Sequence, residues 1–153
     1  MSRKTENASF TLERRLDFPV AKVFAAWSSV EAKARWFSGP AGRWTAEIRE
    51  QDFREGGRER LRGRFSEGWI SDFRAQYHDI QPDARIVYSY EMYRDNVRLS
   101  VSLATITFAA DGKGTLMTVT EQGVYLDAHS DGNNSRREGT AFLMEQLQAS
   151  LQN

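Results

Sequence analysis

A chain of 153 residues fits one domain, expected here over residues 1–153, and at that size folding buries about 70% of the unfolded surface without covalent staples. Its 21 Lys and Arg side chains balance 21 Asp and Glu, which excludes the long-range pull on nucleic acid or an anionic membrane that a basic chain exerts. The lack of cysteine excludes a disulfide framework, a thiol nucleophile and a thiolate zinc site.

The opening MSRKTENASF has no apolar signal-peptide core, and no run approaches the roughly 20 apolar residues of a membrane span. The expectation is a cytoplasmic protein. Phe10, Leu12, Leu16 and Phe18 alternate with Thr11, Glu13, Arg15 and Asp17, the period of a half-buried first strand with Arg14 on its apolar side. After Pro19, residues Val20, Val23, Phe24 and Trp27 follow at helical spacing. Ser28 or Ser29 then caps a second short helix through Ala34, Trp36 and Phe37, which Gly39-Pro40 stops.

From Arg43 onward, β-favouring and aromatic runs are divided by turn signals, as in an antiparallel meander. The spacing predicts strands near 43–53, 58–66, 70–81, 85–94, 97–109 and 114–125. A polar loop from Asp127 to Asn134 follows. The last element is a helix whose start is signalled by Ser135 and Glu138, a capping-box spacing. On it, Thr140, Leu143, Met144, Leu147 and Leu151 form one apolar stripe, with Phe142 on the outer side. Strand, two short helices, six strands and a long helix make an α+β layout with helices on one face of a curved sheet.

Several runs resemble a known family. Asp17-Phe18-Pro19 leading to Ala26-Trp27, then Ala34-Arg35-Trp36-Phe37 and Gly39-Pro40, look like the opening signature of AHSA-type domains, named for an activator of a heat-shock ATPase. Arg54-Glu55-Gly56-Gly57-Arg58, Tyr77-His78-Asp79-Ile80, Arg85-Ile86-Val87-Tyr88, Thr118 to Gly123 and Glu138-Gly139-Thr140 extend the match over nearly the whole chain. The resemblance implies a place in the START-like (SRPBCC) superfamily and its helix-grip fold. There a seven-stranded sheet curls round the last helix and leaves a cavity between them. Many such relatives carry Trp after the glycine where this chain has Thr140.

Period-two alternation in 58–65 sets Arg58, Arg60, Arg62 and Arg64 on one face and Glu59, Leu61, Gly63 and Phe65 on the other. Four arginines cannot share a core, so Glu59 points inward. In the next strand Phe73, Ala75 and Tyr77 point inward, and Asp72 outward to pair with the arginines. The arginine row reads as a solvated, ion-paired face rather than a nucleic-acid surface. Glu121 is the second inward acid. Since the resembled fold places the first and last strands side by side, Arg14 is its expected partner. Glu59 has no inward cation in view, and an unpartnered acid among Leu61, Phe65, Trp36 and Phe37 would hold its proton more tightly and suit acid–base work. The apolar positions of 97–108 change side near Thr105, which a bulge would explain.

His78 is expected outward and His129 in the polar loop, so neither a metal site nor a Ser-His triad is expected, nor any cofactor. Among the aromatics, Trp27, Trp44 and Phe73 read as core, while Trp36, Phe37, Tyr77 and Tyr90 are candidates for a cavity wall. The leading expectation is non-covalent binding of a small apolar molecule between helix and sheet. Its candidate contacts are Trp36, Phe37, Glu59, Leu61, Phe65, Tyr77, Tyr90, Glu121, Thr140, Leu143, Met144 and Leu147. Two alternatives stand beside it. One is an enzyme of the polyketide cyclase or dehydrase kind using Glu59 or Glu121, and the other is a co-chaperone-like interaction domain, with Phe142 a possible homodimer contact.

Overall fold

A computed structural model describes residues 3–127 and 132–152. The expected strand and helix order is present: β1 (Thr5–Leu16), α1 (Val20–Ser28), α2 (Val30–Ala34), β2 (Trp44–Gln51), β3 (Arg58–Phe65), β4 (Ile70–Gln81), β5 (Arg85–Arg94), β6 (Val97–Asp111), β7 (Gly114–Leu126) and α3 (Gly132–Leu151). All seven strands form one antiparallel sheet in the order β1-β7-β6-β5-β4-β3-β2. This is the α+β helix-grip arrangement, with the sheet curved round α3.

Two local features show how the sequence shapes the sheet. Asp95 and Asn96 both take positive φ, 49° and 69°, as the two-residue turn between twisted strands requires. Glu47 has no counterpart across the β2–β3 register, which shifts between Ala46 and Ile48. Such a bulge bends a strand and re-aims a side chain. Here it sets the Glu47 carboxylate to accept from Arg62 at 3.2 Å and Arg64 at 2.8 Å. Asp72, buried on the outer face, accepts from Arg60 and Arg74. Arg60, Arg62 and Arg64 of the arginine row are thus ion-paired, as the alternation implied.

Three expectations are corrected. Helix α3 starts at Gly132, not at Ser135, so Ser135 and Glu138 lie inside it and form no capping box. At this longer start an acceptor comes from outside the helix: Glu6 on β1 takes the Asn133 amide at 3.0 Å, filling one of the orphan N-terminal donors. Strand β6 has no bulge at Thr105, since its pairing with β5 is unbroken there and shifts instead between Met92 and Tyr93. Its inner face runs Ser100, Ser102, Ala104, Ile106, Phe108, while Val101 and Leu103 are exposed. The apparent switch came from polar residues facing in and apolar ones facing out. Arg14 does not meet Glu121: it lies opposite Met117, while Phe10 lies opposite Glu121. Four residues of strand separate the two positions, about 13 Å. Arg14 Nη1 instead donates to the carbonyl of Glu13 at 2.8 Å.

The apolar core lies between α3 and the inner sheet face, with α1 and α2 closing one side. Leu16, Val23, Trp27, Trp36, Tyr77, Ile86, Ile106, Met117, Val119, Met144 and Leu147 are buried there. The α3 stripe is as expected, with Thr140, Met144, Leu147 and Leu151 buried and Phe142 exposed at 46%.

Candidate functional site

Between α3 and strands β4 to β7 the packing leaves a cavity of about 370 Å³. Its walls carry Trp27 from α1, Trp36 and Phe37 after α2, Phe73, Tyr88, Tyr90 and Val119 from the sheet, and Leu143 and Met144 from α3. Exposed Arg94, Ser135 and Gly139 also line it, marking the side that meets solvent. The rings pack edge to face, with centroids 4.7 Å apart for Trp27 and Trp36 and 4.9 Å for Phe37 and Phe73, a geometry that aromatic quadrupoles favour.

Two buried carboxylates organise the polar part of this interior. Glu59 on β3 is 6% exposed, and its Oε1 accepts from Lys33 Nζ at 2.7 Å. Lys33, on α2, is itself only 3% exposed. The same oxygen accepts from the Tyr77 hydroxyl, and Gln51 Nε2 donates to that hydroxyl at 3.1 Å. Burial pulls the Lys33 pKa below its ordinary value, with Glu59 opposing the shift. Burial and the Glu59 charge raise that of Tyr77. Glu59 is therefore half of a buried ion pair, not the unpartnered acid that the sequence suggested.

Glu121 on β7 is held differently. It is 4% exposed and lines the cavity. The Tyr90 hydroxyl donates to its Oε1, and Thr140 Oγ1 on α3 donates to Oε2 at 3.3 Å. Arg136, one turn before Thr140 on α3, donates to the Tyr90 oxygen at 2.9 Å and to Ser100 Oγ at 2.8 Å. A relay of Arg136, Tyr90 and Glu121 thus replaces the expected Arg14 pair. Burial raises the Glu121 pKa, and the Tyr90 bond, the Arg136 charge and Thr140 offset only part of that.

Of the sequence-predicted residues, Trp36, Phe37, Tyr90, Glu121, Thr140, Leu143 and Met144 come together on the cavity wall. Glu59, Leu61, Phe65, Tyr77 and Leu147 do not line it. Lys33 is the wall residue on Glu59, which Tyr77 also contacts, Leu61 and Leu147 are packed into the core, and Phe65 stacks on Trp69 with centroids 3.9 Å apart. Lys33 and Arg136 were missed. Each had a signal: Lys33 precedes Trp36 and Phe37 by three and four residues, a spacing that the turn following α2 preserves through the Trp36 and Phe37 amides bonded to the Lys33 carbonyl, and Arg136 precedes Thr140 by four on one face of α3. His78 is exposed and contacts Ser89 at 2.7 Å, and His129 lies outside the described residues. Among the described residues no cluster of His, Asp or Glu could hold a metal ion, and no helix is long and apolar enough to cross a membrane.

The sheet gripping α3 and the cavity between them define a START-like helix-grip domain. The chain belongs to the family of activator of Hsp90 ATPase homolog 1-like proteins, whose model matches residues 17–152. An uncharacterized protein from Rhizobium leguminosarum is 41% identical, with 99% of each chain covered and a TM-score of 0.93. A protein from Rhizobium loti is 35% identical, covering 96% of this chain and 99% of its own, with a TM-score of 0.86. One from Chromobacterium violaceum is 25% identical over 95% and 97%, with a TM-score of 0.77. No curated protein matches the chain at a significant level.

The two carboxylates give two testable outcomes. Breaking a buried pair leaves a lone buried charge, so Lys33→Met should lower the unfolding free energy by about 3–5 kcal/mol. Adding Glu59→Gln should restore much of the loss, and a double variant no more stable in urea than the single one would contradict this. For Glu121, whose folded pKa lies above the ordinary 4.5, the native state holds a proton that the unfolded chain has lost. Stability then falls as pH rises from the ordinary value through the raised one. The melting temperature of Glu121→Gln should therefore gain on the wild type across that window, and a constant offset would contradict the raised pKa.

Proposed function

We propose that this chain binds a small, largely apolar molecule in the cavity between α3 and the sheet. The observation that carries the reading is a void of about 370 Å³ walled mainly by aromatic and aliphatic side chains, with the charged groups Lys33, Glu121 and Arg136 among its polar ones. Such a volume lies within the range of about 300–1,000 Å³ typical of small-molecule sites, which pair apolar walls with a few orienting polar atoms. Glu121, Tyr90 and Thr140 would supply the orientation. The charges inside are already compensated, Lys33 by Glu59 and Arg136 through its hydrogen-bonded relay to Glu121. A neutral ligand needs no further counter-charge.

A second reading is acid–base chemistry on a bound molecule. Glu59, committed to Lys33, offers it little. Glu121 supports it, because it faces the cavity, forms no direct ion pair among the described residues and has a raised pKa. The pH comparison of Glu121→Gln with the wild type bears on this reading directly, because it requires a carboxyl that keeps its proton beyond the ordinary range.

The binding reading is tested by filling the space. Three of the chain's four tryptophans, Trp27, Trp36 and Trp69, line the cavity, so intrinsic fluorescence is a local reporter in the wild type. A panel of small aromatic ligands should change that fluorescence and raise the melting temperature. Thr140→Trp should keep the far-ultraviolet circular dichroism and lose the ligand-induced rise in melting temperature. An unchanged rise would move the site elsewhere.

A further inference from the structure

Apart from Glu121 and its relay, the cavity wall carries a primary amine. Of 21 Lys and Arg residues, four are lysines: Lys4, Lys22, Lys33 and Lys113. Lys33 alone among them is buried. It lines the cavity, and its Nζ lies 4.6 Å from the ring centroid of Phe37, 5.6 Å from Trp27, 5.8 Å from Tyr88 and 5.9 Å from Trp36. All four rings belong to the cavity wall. A guanidinium keeps its proton in a protein, whereas an ammonium beside a base can give one up and become a nucleophile. Glu59 is that base, at 2.7 Å.

We propose that Lys33 captures apolar carbonyl compounds: an aldehyde entering the cavity condenses with the Lys33 amine to a Schiff base, with Glu59 shuttling the proton. Glu59 takes a proton from the ammonium, and the freed lone pair bonds to the carbonyl carbon while the C=O π pair moves to oxygen. Proton transfers through Glu59 from nitrogen to that oxygen give the carbinolamine, then expel the oxygen as water. The products are the protonated imine and one water, with no change of oxidation state. The imine keeps the positive charge of the ammonium, so its pairing with Glu59 survives the reaction. The Tyr88 hydroxyl, on the same wall and without a hydrogen bond among the described residues, can donate to the carbonyl oxygen. Burial, by lowering the Lys33 pKa, favours the neutral amine that the attack needs.

The proposal rests on the cavity admitting a ligand, so its test separates the two. The protein is incubated at neutral pH with naphthaldehyde and cyanoborohydride, which reduces an imine to a stable secondary amine, and peptide mapping by mass spectrometry locates the label. The expected result is one naphthylmethyl group on Lys33, acquired faster than any on Lys4, Lys22 or Lys113, since those three are exposed and none of them lines the cavity. The variant Lys33→Met/Glu59→Gln, which retains no buried charge at this pair, should lose the label while remaining folded. Naphthylmethanol, matched in shape but lacking the carbonyl, reports reversible binding through the melting temperature. If it stabilises the protein and Lys33 stays unlabelled, carbonyl capture is overturned and the binding reading stands. If it gives no stabilisation and Lys33 is unlabelled, both fall. Label confined to the surface lysines or the terminal amine also overturns the proposal.

Discussion

Two carboxylates kept inside an apolar interior set the terms for the rest of this structure. A charge removed from water needs a partner with good geometry, or it gives up its charge. Glu59 and Glu121 meet that requirement in different ways. Glu59 has a full cation at 2.7 Å and a phenol on the same oxygen. Glu121 has two hydroxyl donors, with its nearest positive charge held behind one of them on Arg136. The first arrangement ties α2 to β3. The second ties α3 to β5 and β7. Both helices are thereby fixed at a distance from the sheet that side chains do not entirely fill, and the cavity is what remains.

This arrangement explains why so much polar chemistry lines an otherwise apolar space. Ser100 and Ser102 face inward on β6 because Arg136 needs acceptors there. Thr140 occupies the α3 position nearest Glu121, small enough to leave volume and polar enough to donate a hydrogen bond. A larger apolar residue at that place would fill the void and remove one of the two donors to Glu121. The family resemblance accounts for the fold over residues 17–152, but fold does not determine what a cavity accepts. That information lies in the particular residues on its walls.

Much of the architecture was legible in the sequence because it rests on local periodicity. The bounds of β4 and β5 coincide with the turn signals on either side of them, and the alternation in Arg58 to Phe65 placed Glu59 inside correctly. The α3 stripe could be read because its spacing is uninterrupted. What was not legible depends on register or on partners remote in sequence. Arg14 lies on the expected face of β1, yet the β1–β7 pairing sets it opposite Met117, a displacement no single-strand pattern reveals. The amide of Asn133 at the start of α3 is taken by Glu6, more than a hundred residues earlier. Lys33 and Arg136 were overlooked because long cationic side chains are almost always solvated. Only the tertiary fold shows that each has a buried acceptor to meet. The pattern of β6 suggests a bulge that is absent for a related reason: Val101 and Leu103 face solvent while serines face in.

The central claim is that an apolar space accessible to small molecules exists between α3 and the sheet. Xenon under pressure tests it without presuming a ligand, since dry apolar cavities take up the gas whereas well-packed cores do not. Crystals of the protein held under xenon should show an anomalous scattering peak between Trp36, Phe37, Phe73 and Leu143. No xenon there, with those side chains packed against one another, would contradict the account.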